Sequence, residues 1–102
     1  MSREYTEEEV RNIFLKQISS AKSYWLNQNQ LSTDDKMDGL VHSILCIIDG
    51  CTMLPSFNLV VCPHPDDKQT YIKDGENYFP EEESDCDIND GYLHEHWGRK
   101  LF

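Results

Sequence analysis

The 102-residue chain has no run of about 18 apolar residues, the length that a membrane-spanning helix needs. Its start, Met1 to Glu9, is polar and acidic, whereas a secretory signal begins with basic residues and continues with an apolar stretch. Glycine-rich phosphate loops, nucleophile elbows and basic surfaces with interleaved aromatic residues are absent as well. We therefore expect a cytoplasmic protein that uses no cofactor and contacts neither membrane nor nucleic acid.

Cysteine pairs of the Cys-x-x-Cys type are also missing. The four cysteines, Cys46, Cys51, Cys62 and Cys86, have irregular spacing, which argues against a zinc knuckle or ribbon. Without an export signal they are expected to remain free thiols rather than to form disulfides. Cys46 lies in the apolar run "SILCII" and is interpreted as a small core residue.

Basic residues are scarce, since 9 Lys and Arg face 19 Asp and Glu, for a formal net charge of -10. Residues 74–90 carry eight acids and no Lys or Arg. Such a surface repels nucleic acid and anionic membranes and attracts cationic surfaces. The sequence therefore predicts that a basic protein surface binds the acidic segment, through Glu81, Glu82, Glu83, Asp85, Asp87 and Asp90.

Two long helices are predicted in the first half of the chain. Thr6-x-x-Glu9 forms a capping box, and apolar residues then recur at helical spacing over about 7–27. A second apolar stripe covers about 34–49, and Gly50 follows it as a C-terminal capping residue. The short loop between the helices predicts antiparallel packing. Close approach of the first helix would explain Gly39 in the middle of the second.

The second half is predicted to be mixed. "FNLVVC" (57–62) is rich in strand-forming residues, and a short helix is expected over about 65–74. An acidic loop (80–90) and a C-terminal helix (about 91–100) follow. His94 and His96 lie two residues apart in that helix, so they are expected to point to different faces. The predicted fold is one α+β domain (1–102), an antiparallel helix pair packed on a small two- or three-stranded sheet with a short C-terminal helix.

The tetrad His64-Pro65-Asp66-Asp67 resembles the zinc motif of the N-acetylglucosaminyl de-N-acetylases. The resemblance implies that His64 and one aspartate bind zinc while the other aspartate acts as a base. The fifth residue is Lys68 where that family has Glu, and the family's later His-x-x-His pair is missing. The same residues also suit a strand-to-helix junction, with Pro65 at the first helical position and both aspartates in the first helical turn. We favour the junction and keep the metal site of His64, Asp66 and Asp67 as the runner-up.

On a larger scale, the blocks "GLVHSILCIIDG", "LPSF", "PHPDDK", "GENYFP" and "GYLHE" resemble a group of small bacterial and phage proteins to which no activity is assigned. The resemblance spans about 39–95 and implies a bacterial, prophage or phage origin. It carries no catalytic residue to this chain.

Three functions are compatible with these observations. The first is a small, acidic, non-enzymatic protein-interaction or regulatory module, with homodimerisation left open. The second is an inhibitor whose acids imitate nucleic acid and occupy the basic cleft of a host nuclease or defence enzyme. The third is a small metal-dependent hydrolase that uses the His-Pro-Asp-Asp tetrad. We expect the first, and therefore no enzyme.

Overall fold

The computed structural model describes residues 2–81, 86–89 and 92–99. Its helices in this part are α1 (Glu7–Leu26), α2 (Thr33–Ile48), α3 (Asp67–Lys73) and α4 (Leu93–Arg99). The chain divides into two compact units, the first made of Met1–Phe57 with Tyr92–Phe102 and the second of Asn58–Gly91. None of the described helices combines the length and the apolar character needed to cross a membrane.

Helix α1 begins with the capping box that the sequence indicates. Glu9 N–H donates to Thr6 Oγ1 at 3.1 Å, and Thr6 N–H donates to Glu9 Oε1 at 3.0 Å. The Arg3 guanidinium also donates to both Glu9 oxygens, at 2.7 and 2.8 Å. These bonds, from Arg3 first and then from Thr6, lower the pKa of Glu9 to about 2. Two backbone donors that a helix start leaves unpaired are thus satisfied.

Helix α2 ends in a Schellman motif at Gly50. Cys51 N–H donates to Cys46 O at 2.9 Å, Gly50 N–H donates to Ile47 O at 3.3 Å, and Gly50 has φ +82°. A Cβ at Gly50 would also lie 2.7 Å from the backbone nitrogen of Ser56, so the turn requires glycine on two grounds.

Helices α1 and α2 pack antiparallel within the first unit. Trp25, near the end of α1, donates from Nε1 to Ser43 Oγ at 2.8 Å, while Phe14, nearer its start, packs edge-on against Phe57 beyond the end of α2. The end of α1 thus contacts the middle of α2, while the first half of α1 contacts the chain beyond the end of α2, as antiparallel packing requires. A Cβ at Gly39 would lie 2.6 Å from the Trp25 ring. Close approach of α1 is thus the reason for glycine at position 39.

The interior of the described residues is small. Its buried apolar side chains are Ile47 and Leu54, and no residue of α1 is buried. Ten other apolar residues of α1, of α2 and of the 57–62 segment are half-buried: Ile13, Phe14, Ile18, Leu40, Val41, Ile44, Leu45, Ile48, Leu59 and Val61. The apolar stripes of α1 and α2 are therefore only partly buried.

The predicted α+β fold is wrong, because the described residues form four helices and no sheet. Residues 57–62 meet a partner segment at a single antiparallel bridge, Val60 to Asp87. Asn89 then donates its N–H to Asp87 Oδ1, and its own side chain accepts the N–H of Leu59. Among the described residues, these side-chain bonds therefore accompany one bridge and no longer ladder. Residues 76–79 have no strand structure either.

Candidate functional site

The end of α2 brings two thiols together. In a Schellman motif the sixth residue donates its N–H to the carbonyl of the first, and here these residues are Cys51 and Cys46. The fold of the helix terminus itself thus places both side chains on one side of the turn. All four cysteines of the chain are free thiols in the structure.

A histidine from a distant part of the sequence joins these thiols. His94 lies in the first turn of α4, and its ring nitrogens are 3.8 and 4.0 Å from Cys51 Sγ. Ligand atoms of Cys46, Cys51 and His94 all lie within 4.8 Å of one another. Cys51 is exposed, whereas Cys46 and His94 are half-buried.

Asp49 fixes the position of His94. Its Oδ2 accepts the backbone N–H of His94 at 2.9 Å and lies 2.8 Å from the ring Nδ1. The Asp49 side chain has 0% exposure, and its Oδ1 is buried without a hydrogen-bond partner among the described residues. One carboxylate therefore joins the end of α2 to the start of α4 and leaves His94 Nε2 as the ring nitrogen not turned to Asp49.

The electrostatics of the cluster follow from burial and from these bonds. Burial raises the pKa of Asp49, but the hydrogen bonds and charge of His94, with the Leu93 backbone, outweigh it and lower that pKa overall. Burial also raises the pKa of the Cys46 thiol, and Cys51 and Asp49 raise it further. Asp49 is therefore ionised at neutral pH, while the Cys46 thiol keeps its proton.

His42 stands beside the cluster on α2. It lies one helical turn before Cys46, with Nε2 3.5 Å from Cys46 Sγ, and its ring is 5.7 Å from that of His94. Residues four apart share a helix face, which explains why His42 lies beside Cys46. Imidazole nitrogen and thiol sulfur are ligands that zinc prefers in proteins.

An apolar groove of about 820 Å³ runs between α1 and α2 in the same unit. Ile13 and Ala21 of α1 form one wall, Ile47 of α2 forms the other, and Met53 stands at the edge. Met53 is 86% exposed. Lys16 supplies the formal charge that lines the groove. The surface thus combines apolar walls with a flexible thioether, which adapts to differently shaped ligands.

The tetrad predicted as a junction or metal site forms a turn that leads into α3. Asp67 N–H donates to His64 O at 3.0 Å, with Pro65 second in the turn, a position that suits its fixed φ. The Asp67 carboxylate accepts the His64 N–H at 3.0 Å, and the Asp66 N–H donates to His64 Nδ1 at 3.2 Å. These side chains thus bond to the local backbone.

Metal binding by His64, Asp66 and Asp67 remains the runner-up prediction. Among the described residues, two groups of three potential ligands have all ligand atoms within 4.8 Å of one another, and the tetrad is not one of them. Helix α3 begins at Asp67, so Pro65 precedes the helix instead of occupying its first position.

The second of those groups is acidic and exposed: Asp34, Asp35 and Asp38. Asp34 and Asp35 lie in the first turn of α2, where the helix dipole favours carboxylates without any cation.

Two of the six predicted partner-binding acids lie in the described part of the chain. Glu81 is exposed and forms an ion pair with Lys68 at 3.4 Å, and Asp87 belongs to the single bridge. Lys68 also lies over the Tyr78 ring, 5.0 Å from its centre. Four further acids lie outside the described residues: Glu82, Glu83, Asp85 and Asp90. Binding of a basic partner at this segment therefore remains a prediction.

Sequence reasoning missed the Cys46–Cys51–His94 cluster. The spacing of the cysteines argued against familiar zinc motifs, and His94 was considered only together with His96. The available signal was the Gly50 terminus, because a helix ending there places Cys51 beside Cys46. Nothing in the local sequence indicates that His94, some 43 residues away, completes the group.

Comparisons of this chain with protein-family models, with curated proteins and with solved structures gave no match. The resemblance to small bacterial and phage proteins therefore stays a prediction from the sequence.

Proposed function

We propose that the chain is a non-enzymatic protein-interaction module whose α1–α2 groove binds an amphipathic helix with basic flanks. The observation that carries this proposal is the incomplete burial of the helix pair. Helix α1 has 20 residues and none of them is buried, although its apolar residues recur at the spacing of a core-facing stripe. A stripe of this kind normally packs against another element on its full width.

The groove suits a helix because α1 and α2 form its long walls and line it with apolar side chains. Binding of an amphipathic helix in an apolar groove is a recurring mode of peptide recognition, and exposed methionines are common at such surfaces. Filling the groove would remove Ile13, Ala21 and Met53 from water, at about 25 cal/mol for each Å² of apolar surface.

The charge of the chain favours a basic partner over a second copy of itself. The formal net charge is -10, and residues 58–91 alone carry ten Asp and Glu against two Lys. A second copy brings the same negative charge, whereas a Lys/Arg-rich helix is attracted over a distance set by the salt concentration. The excess of acids on the chain as a whole therefore supports a partner with basic flanks.

Two synthetic helical peptides test the proposal. Both carry leucine along one face, and one has Lys and Arg on its flanks while the other has Glu. Fluorescence anisotropy should show binding of the basic peptide, weaker at high salt, and much weaker binding of the acidic one. Equal binding of both peptides, or of neither, would contradict the proposal.

Two methionines provide a matched pair of variants. Met53→Glu places a charge at the groove and should weaken binding of the basic peptide at least about tenfold, the change that about 1.4 kcal/mol produces. Met37→Glu, at a residue of α2 that is 61% exposed and does not line the groove, should leave binding unchanged. Light scattering should give a monomer, and a dimer that Met53→Glu dissociates would mean that a second copy occupies the groove instead.

A further inference from the structure

We propose that Cys46, Cys51 and His94 form a zinc site in the first unit, with His42 as the fourth ligand and Asp49 as the group that orients His94. Cys46 and His42 also line the groove between α1 and α2, so the metal site adjoins that groove, but metal binding requires no groove partner. It rests on how three separate stretches of the chain meet: the last turn of α2, the loop that follows Gly50, and the start of α4.

The distances fit a tetrahedral zinc ion. Zn–S bonds of about 2.3 Å and Zn–N bonds of about 2.0–2.1 Å require sulfur and nitrogen ligands to be about 3.6 Å apart. His94 Nε2 is 4.0 Å from Cys51 Sγ, and His42 Nε2 is 3.5 Å from Cys46 Sγ. One ligand atom each of Cys46, Cys51 and His94 lies within 4.8 Å of the other two. These three side chains therefore need only small rotations to bind one ion, whereas His42 lies outside that group and its ring must also turn toward the ion.

Asp49 supplies the interaction that metal-binding histidines characteristically make. Such a histidine binds the metal through one ring nitrogen and donates the N–H of the other to a carboxylate. Asp49 Oδ2 lies 2.8 Å from His94 Nδ1, inside the protein, which leaves Nε2 for the metal. A carboxylate with 0% exposure would be costly at the end of a helix without a positively charged partner. With zinc on Nε2, the divalent ion would take over the positive charge that an imidazolium of His94 otherwise supplies to Asp49.

The ligand types select the metal. Two thiols and two imidazoles form the Cys2His2 set of many structural zinc sites, whereas calcium and magnesium take oxygen ligands. A metal here would join α4 to α2 and stabilise a unit whose described interior holds few buried apolar side chains. The inferred role is therefore structural.

Cobalt binding provides the first test, because tetrahedral cobalt with thiolate ligands has characteristic visible and charge-transfer absorption. Reduced, chelator-treated protein should bind one Co²⁺ per chain with this spectrum, and Zn²⁺ should displace it. Cys46→Ser, Cys51→Ser and His94→Gln should each abolish the thiolate spectrum. Two control variants, Cys62→Ser and His96→Gln, should retain it, since Cys62 and His96 are exposed and lie outside the cluster. Absence of a tetrahedral thiolate spectrum in the unmodified chain would overturn the proposal.

Alkylation of the unmodified protein gives a second readout that does not depend on whether a variant folds. Zinc should protect Cys46 and Cys51 from a thiol reagent, while exposed Cys62 in the same molecule reacts at the same rate with and without metal. Equal reactivity of all three with and without zinc would contradict the site.

Separate variants test the roles of Asp49 and His42. Asp49→Asn should lower zinc affinity by about 10–100-fold while keeping the thiolate spectrum of cobalt, as expected for a residue that orients a ligand. His42→Gln should lower affinity by a similar or larger factor, and unchanged affinity would remove His42 from the ligand set. Zinc should also raise the thermal midpoint of the unmodified chain, and an unchanged midpoint would contradict a structural role.

Discussion

Replacing Gly39 by alanine sets two opposing effects against each other at the contact between α1 and α2. Alanine is favoured over glycine by about 1 kcal/mol inside a helix. The added methyl group, however, would lie 2.6 Å from three atoms of the Trp25 ring, where carbon atoms prefer about 3.5–4.0 Å. The ring must therefore move by about 1 Å or the helices must separate.

The Trp25 ring has little freedom to move. Its Nε1 donates to Ser43 Oγ at 2.8 Å, and the ring stacks on Tyr24 with centres 5.0 Å apart. A shift of about 1 Å would break the hydrogen bond, at about 1 kcal/mol, and overpacking costs about 1–3 kcal/mol more. After the gain in helix propensity, we expect Gly39→Ala to lower the free energy of unfolding by about 1–3 kcal/mol.

Urea unfolding followed by circular dichroism measures this difference. Gly98→Ala is the matched control, because a Cβ at that position of α4 has no atom within 4 Å. We expect it to be neutral or to stabilise by up to about 1 kcal/mol. In a Trp25→Ala background, Gly39→Ala should become stabilising as well, since the clash is gone. If Gly39→Ala stabilises the chain with Trp25 in place, the close approach of α1 is not what requires glycine there.

Three further predictions concern other parts of the chain. The lowered pKa of Glu9 means that its stabilising contribution is present above the ordinary glutamate pKa and is lost as the pH falls toward about 2. Glu9→Gln should remove this acid dependence of helicity, measured by circular dichroism, and Glu8→Gln in the same turn should retain it. Ile47→Ala should cost about 2–5 kcal/mol because Ile47 is 3% exposed, and Ile44→Ala should cost less since Ile44 is half-buried; equal losses in denaturant titrations would contradict this ranking. A triple variant replaces three glutamates of the acidic segment, Glu81→Gln, Glu82→Gln and Glu83→Gln. It should weaken binding of a Lys/Arg-rich partner to this segment and flatten the salt dependence of that binding without changing the fold, and unchanged binding would show that these acids only aid solubility.

Local sequence signals and the helix ends agree closely. The capping box at Thr6 and Glu9 marks the start of α1, and Gly50 marks the end of α2. The sequence placed the first two helices at about 7–27 and 34–49, and the structure has them at Glu7–Leu26 and Thr33–Ile48. Such features depend on residues within one turn of each other, so they are visible in the sequence alone.

The predicted sheet failed because strand propensity does not provide a partner. Residues 57–62 have the composition of a strand, yet a strand becomes part of a sheet only when another segment pairs with it over several residues. In the described part of the chain this segment has one bridge, from Val60 to Asp87, and the side chains of Asp87 and Asn89 bond to backbone close by. Whether such a partner exists is a property of the tertiary fold.

The candidate site also combines features that the sequence shows with features that only the tertiary structure shows. The sequence alone determined the helix pair, the end of α2 at Gly50 and the excess of acids, because each depends on neighbouring residues or on composition. Only the tertiary structure decided that α4 returns to the end of α2, that Asp49 is buried there, and that it holds His94 beside the two thiols. The physical reason is the sequence separation: contacts between residues 45 positions apart depend on which apolar faces pack together, and no local pattern encodes that choice.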